Sequence, residues 1–219
     1  MRAYPGGKNG KGVYQKLINL IPPHETYIET HLGGGAIMLH KKPAKINIGI
    51  DLDPSVIAIW QKKQLNQSKF LQADALNFLK NYSFTGSEFV YSDPPYLMET
   101  RRGGRLYKFE YTIEQHIQLL NCLKSLPCMV MLSGYWSKLY GEKLKNWASF
   151  LFQAKTRQGV ATEWVWLNYP KPTELHDYSF LGNDFHERER IKRKKARWIK
   201  KLRTLPLLEQ KALLEALKN

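Results

Sequence analysis

Seven short runs rich in β-branched and aromatic residues, separated by stretches with helical spacing, constrain this chain more than any other feature. The runs are residues 27–29, 46–51, 70–74, 89–93, 129–133, 150–154 and 163–168. Between them, 13–21, 54–65 and 113–126 carry apolar residues at helical periodicity, and Thr112 and Gln115 form a capping-box pair at the head of the last. This alternation predicts an α/β fold built on a mostly parallel, seven-stranded sheet. The final two runs flank Gly159 and can pair antiparallel, so one antiparallel strand is expected at the end of the sheet.

At 219 residues the chain is long enough for one good core and a small appendage. The expected division is a main domain over 1–170, with a basic loop at 97–111, and a basic helical extension over 171–219. The loop contains Arg101, Arg102, Arg105 and Lys108 around Gly103 and Gly104. The extension holds ten cations against the single acid Glu189 between Arg188 and Arg203, with Ile191, Trp198 and Leu202 as an apolar stripe by which that helix is expected to dock. Residues 207–217 read as a last amphipathic helix.

Lys and Arg total 34 against 19 Asp and Glu, a formal charge of +15 that attracts a polyanion, nucleic acid first and anionic membrane second. The membrane reading weakens because no apolar run approaches the roughly 18 residues of a spanning helix, and residues 1–10 lack the apolar core of a signal peptide. A cytoplasmic, soluble protein is expected. Cys122 and Cys128 have neither redox nor zinc-site spacing and are read as reduced core residues. The six histidines form no metal-spaced pair, so no metal is expected.

Two segments carry chemistry. Residues 29–35, Glu-Thr-His-Leu-Gly-Gly-Gly, follow a strand and precede a helical run, the context in which glycines let backbone approach a bound cofactor. Further on, a strand ends in Asp51-Leu52-Asp53-Pro54. Asp53, before a proline at a first helical position, suits an N-cap, which leaves Asp51 at the strand tip to accept hydrogen bonds from ribose hydroxyls. Asp74 fits two roles equally, an acceptor for a cofactor adenine or the cap of the short helix after it.

The second segment is Ser92-Asp93-Pro94-Pro95-Tyr96 at a strand's C-terminal edge, where α/β folds bind ligands. The amine of a nucleobase is a poor nucleophile because its lone pair is delocalised into the ring, so catalysis works through hydrogen bonds and position. Asp93 and the Pro94 carbonyl can each accept one amino hydrogen, the prolines hold those acceptors rigid, and Tyr96 offers a face for an extruded base.

Taken with Tyr4-Pro5-Gly6-Gly7-Lys8, the glycine loop, Asp51 and the 93–96 loop, the chain resembles the DNA adenine methylase family, and its tail is similar to that of phage-borne members. Ser133-Gly134-Tyr135 and Ala161-Thr162-Glu163-Trp164 look like later family motifs. The resemblance implies a Rossmann-like fold and a cofactor, S-adenosylmethionine, that leaves as S-adenosylhomocysteine. It implies that Tyr4, Lys8, Glu29, Gly33, Gly35 and Asp51, joined by Asp74 and Asp93, hold that cofactor, with Asp93, Pro94 and Tyr96 catalytic. It also implies an enzyme acting on adenine in double-stranded DNA, in a bacterial or phage-infected cell. Methylation of a cytosine amine or of RNA, and a catalytically silent DNA-binding module, are the alternatives.

The chain departs from the family at Thr30-His31, where Pro-Phe is common, and in the short stretch between Asp74 and Asp93, where many members insert a target-recognition segment. Base reading and phosphate contact are therefore expected from Arg101, Arg102, Arg105 and Lys108 and from Arg193, Lys194 and Lys195 in the tail. Nothing in these residues specifies an oligomeric state.

Overall fold

The computed structural model describes residues 6–10, 12–101, 104–156 and 159–217, with the side chains of 155 and 156 left aside. All seven expected runs are strands of one sheet: β1 (Thr26–Glu29), β2 (Ile46–Asp51), β3 (Ser68–Gln72), β4 (Glu88–Ser92), β5 (Met129–Gly134), β6 (Ala148–Thr156) and β7 (Gly159–Leu167). Their order is β3-β2-β1-β4-β5-β7-β6. The pairs among β3, β2, β1, β4 and β5 are parallel, whereas β7 runs antiparallel to both β5 and β6. The single antiparallel strand is thus β7, which folds back from β6 and wedges between it and β5. The fold is a Rossmann-like α/β fold with a mostly parallel seven-stranded sheet.

Helices α1 (Val13–Ile18), α2 (Ala36–His40), α3 (Pro54–Gln61), α4 (Ala75–Asn81), α5 (Ile113–Ser125) and α6 (Lys138–Lys143) connect the strands. Their starts follow local chemistry. Asp53 caps α3 by accepting from Ser55 N, Asp74 caps α4 by accepting from Asn77 N, and Thr112 with Gln115 closes the capping box of α5. Leu119, Leu120 and Leu123 of α5 join Ile28, Val90, Val130 and Leu132 of the central strands in the core. β1 and β4 are buried along their whole length, as strands covered on both faces must be, while edge strand β3 buries only Phe70.

From β1 the chain goes to β2 and β3 on one side, then returns to lay β4 on the other side of β1. That reversal leaves a crevice beyond the C-terminal ends of β1 and β4, the place where open α/β sheets bind ligands. Glu29 ends β1 there, and Asp93 follows directly on β4.

The chain divides into two compact units, Met1–Asp177 and Tyr178–Asn219. Residues just beyond 170 are tied into the first unit, since His176 N donates to Ile21 O at 2.9 Å and Lys42 N donates to Asp177 Oδ2 at 2.8 Å. The second unit contains α7 (Phe185–Arg203) and α8 (Leu207–Ala216), with Asp184 accepting from Glu187 N at the head of α7. α7 buries none of its residues, and Trp198 is 56% exposed.

Candidate active site

The glycine loop is shaped by contacts on two sides. Asp51 Oδ2 accepts from Gly33 N at 2.8 Å and its Oδ1 accepts from Asp53 N at 2.9 Å, so the carboxylate at the tip of β2 is fixed by two backbone donors and keeps lone pairs for a ligand. Burial pushes its pKa up, against the pull of those same hydrogen bonds. From beneath, the fully buried Trp60 of α3 donates Nε1–H to Gly33 O at 3.0 Å. Gly35 has φ +53°, and a Cβ there would lie 2.1 Å from the Trp60 ring, so conformation and space both require glycine.

On the other flank of the crevice, Lys8 Nζ donates to Asp93 Oδ1 at 2.8 Å, to Asp93 Oδ2 at 2.7 Å and to Tyr96 OH at 2.7 Å. It also lies 3.4 Å from Glu163 Oε2, while Tyr96 OH donates to the same oxygen at 3.0 Å. Ser133 Oγ donates to Asp93 Oδ1 at 2.7 Å, and its hydroxyl is in turn 2.9 Å from Tyr91 OH. Lys8 is only 4% exposed. Burial works against its charge, but Asp93 and Glu163 outweigh that penalty and raise its pKa well above the usual lysine value. Asp93 Oδ1 is crowded by Lys8, Ser133 and, at 3.3 Å, Tyr96. Oδ2 accepts from Lys8 alone among the described residues.

Between these flanks lies a cleft lined by Lys8, Glu29, the glycine loop, Asp51, Asp74 and Asp93. Glu29 accepts from Tyr27 OH at 2.9 Å and from Met38 N at the start of α2 at 3.1 Å. Its burial, reinforced by nearby Asp93, lifts the carboxyl to a pKa of about 8 although both hydrogen bonds oppose the rise. His31 Nε2 lies 3.0 Å from Tyr111 OH and Nδ1 lies 2.9 Å from Thr30 Oγ1. Burial and the neighbouring His116 depress His31 to about 3, so its ring is neutral. Thr30 Oγ1 also donates to Ser92 at 3.1 Å, so the Thr30-His31 pair laces the glycine loop to β4 and to the end of the basic loop.

The basic loop folds around one acid. Arg101 makes a bidentate pair with Glu110, at 2.9 and 2.6 Å, and donates to the Tyr96 carbonyl; both side chains of the pair are 7% exposed. Burial opposes ionisation of Glu110, but Arg101 and the backbone N–H groups of Tyr107 and Leu106 hold it down to about 2. This clamp places Tyr107 over Gly6, where a Cβ would meet the phenol oxygen at 2.2 Å.

The structure thus brings Lys8, Asp93 and Tyr96 together, and Gly33 with Asp51, around one cleft. Pro94 is buried beside Asp93. Asp74 lines the rim and caps α4 at once. Tyr96 is 7% exposed, its ring meeting the edge of Tyr135 at 4.6 Å. Arg101 is enclosed by Glu110, whereas Arg105 and Lys108 are exposed, Lys108 in a loose 3.3 Å pair with Asp53. Arg193, Lys194 and Lys195 are exposed on α7. Tyr4 and Arg102 lie outside the described residues.

No protein-family model matches the chain, and no curated protein matches it. Solved structures do. The chain is similar to the N-methyltransferase NodS from Bradyrhizobium japonicum WM9, with a TM-score of 0.51 and 12% identity over 72% of this chain and 94% of that one. It is also similar to an rRNA methylase from Streptococcus thermophilus, with a TM-score of 0.46 and 12% identity over 70% of this chain and 93% of that one. What is shared is the fold. It frames the cleft between β1 and β4, and this chain furnishes that frame with its own side chains.

Several of those side chains carry no signal of their role in the sequence. Trp60 reads as one more apolar residue of an amphipathic helix. Glu110 is one of two acids in the basic loop, with Glu99, and its partnership with Arg101 is legible only as opposite charge nine residues apart. Glu163 stands in a recognisable motif, but its link to Lys8 spans most of the chain and only folding reveals it.

Proposed function

We propose that the chain is an S-adenosylmethionine-dependent methyltransferase acting on the exocyclic amino group of adenine in double-stranded DNA. The observation that carries this reading is Asp93, held at the C-terminal end of β4 beside the cleft, with Oδ1 saturated and Oδ2 able to accept one more hydrogen. The cleft fits the cofactor in donor chemistry: Asp51, 8% exposed and locked by two backbone donors, suits a ribose diol, and the glycine loop admits close backbone approach. Glu29, Asp74 and Lys8 complete the set that would hold it. Bound there, the cofactor supplies an electrophilic sulfonium methyl group.

The chain's own residues do the rest. Asp93 Oδ2 and the Pro94 carbonyl accept the two amino hydrogens and draw the nitrogen toward tetrahedral geometry, which frees its lone pair for in-line attack. Once alkylated, that nitrogen is a strong acid, and Asp93 is placed to take its proton. Lys8 holds the carboxylate in position. An extruded base stacks near Tyr96 and Tyr135, whose rings already meet there. Arg105 and Lys108 on the loop, with Arg193, Lys194 and Lys195 of α7, supply phosphate contacts that the +15 charge favours. Arg101 acts by bracing the Tyr96 carbonyl.

The test is transfer of labelled methyl groups from S-adenosylmethionine to duplex DNA, single-stranded RNA and free nucleosides, with the modified base identified by mass spectrometry. N6-methyladenine in duplex DNA supports the reading. Modification of cytosine or of RNA alone contradicts it.

A further inference from the structure

Glu163 stands one layer behind the cleft and does not line it. We propose that it is an electrostatic positioning residue: it keeps the Lys8 cluster net anionic, so that the cleft holds a cationic sulfonium in preference to the neutral thioether left after methyl transfer. The proposal rests on the cofactor reading above.

The charge count is simple. Lys8 contributes one positive charge, and Asp93 and Glu163 contribute one negative charge each, leaving a formal excess of one negative charge. Lys8 and Asp93 alone already form a two-oxygen pair at 2.7 and 2.8 Å, so the lysine is neutralised without help. Glu163 is nevertheless 6% exposed on β7, opposite Phe152 of β6, where an apolar side chain would suit the sheet. A buried carboxylate costs desolvation free energy that an apolar residue avoids, so its presence calls for an electrostatic reason.

Methyl transfer turns the cofactor's sulfonium into an uncharged thioether. An anionic cluster on the Asp93 flank favours the charged form and loosens its hold once the charge is gone. The field reaches the cleft through a water-poor interior, where Coulomb interactions fall off slowly with distance. Glu163 has a second, separable contact, the 3.0 Å hydrogen bond it accepts from Tyr96 OH. Tyr96→Phe removes that bond and keeps the charge, whereas Glu163→Gln removes the charge and keeps an acceptor.

Isothermal titration calorimetry separates these roles. The dissociation constants of S-adenosylmethionine, of the amine-bearing analogue sinefungin and of S-adenosylhomocysteine are measured for wild type, Glu163→Gln, Glu163→Asp and Tyr96→Phe. Glu163→Gln weakens both cationic ligands by about five- to tenfold and S-adenosylhomocysteine by less than about twofold. Glu163→Asp restores most of that selectivity, and Tyr96→Phe leaves it unchanged. Equal weakening of all three ligands in Glu163→Gln, no change in any, or the same selectivity loss in Tyr96→Phe overturns the proposal. Failure of wild type to bind any of the three overturns the cofactor reading itself, and the proposal with it.

Discussion

Lys8 Nζ lies 2.7 and 2.8 Å from the two carboxylate oxygens of Asp93, a residue 85 positions later in the chain. The pair joins the segment before α1 to the loop after β4, so Asp93 and that early segment are held as one unit. Lys8→Met leaves Asp93 and Glu163 facing each other without a cation. The expected result is a loss of about 3 kcal/mol of stability in urea unfolding, together with loss of methyl transfer. A variant of wild-type stability would show that the pair contributes nothing to the fold.

The glycine loop offers a steric test. Gly35→Ala forces a Cβ toward the Trp60 ring at a positive φ, and destabilisation by about 2–4 kcal/mol is expected, with weaker cofactor binding. In a Trp60→Leu background the same substitution costs less, because the obstructing ring is gone and only the backbone penalty remains. Equal costs in the two backgrounds, measured by thermal unfolding, would remove Trp60 from the explanation.

Glu29 gives a pH dependence with a definite sign. Its folded pKa of about 8 exceeds that of an exposed glutamate, so the folded state holds the extra proton between roughly pH 4.5 and 8. Its contribution is fully present below that window and is lost as pH rises through about 8. Glu29→Gln cannot titrate. The stability difference between wild type and Glu29→Gln should therefore shift against wild type by on the order of 5 kcal/mol across the window. Chemical denaturation at several pH values reads it directly, and a flat difference contradicts the assignment.

The basic loop is expected to split into two classes. Arg101→Ala destabilises the protein, since it strands Glu110 at 7% exposure and releases the Tyr96 carbonyl. Arg105→Ala with Lys108→Ala leaves stability nearly unchanged but weakens DNA binding and lowers the salt slope of log K, by about 0.9 for each phosphate no longer neutralised. Neutralising Arg193, Lys194 and Lys195 lowers that slope further. Fluorescence anisotropy across a potassium chloride series measures both, and an unaltered slope returns those cations to simple solvation.

Periodicity makes the sheet legible, because each strand is a short run with buried residues and several helix starts carry their own caps. Asp53, Asp74 and the Thr112-Gln115 pair are readable as caps for the same local reason, and Asp93 to Tyr96 as a site because chemistry and strand-end position coincide. The strand order is not readable locally, since β7 wedges between β5 and β6 through pairings set by the whole sheet. Arg101 shows the other limit. A cation close after a proline pair reads as a phosphate ligand until the fold brings Glu110 beside it.

The central claim is tested most directly by sequencing modified bases in DNA from cells that express the wild-type chain or its Asp93→Ala variant. The account predicts N6-methyladenine at a recurrent site with wild type and its absence with Asp93→Ala, the variant protein remaining folded by circular dichroism. DNA without modified adenine in the wild-type cells, or the same modification in both, would contradict it.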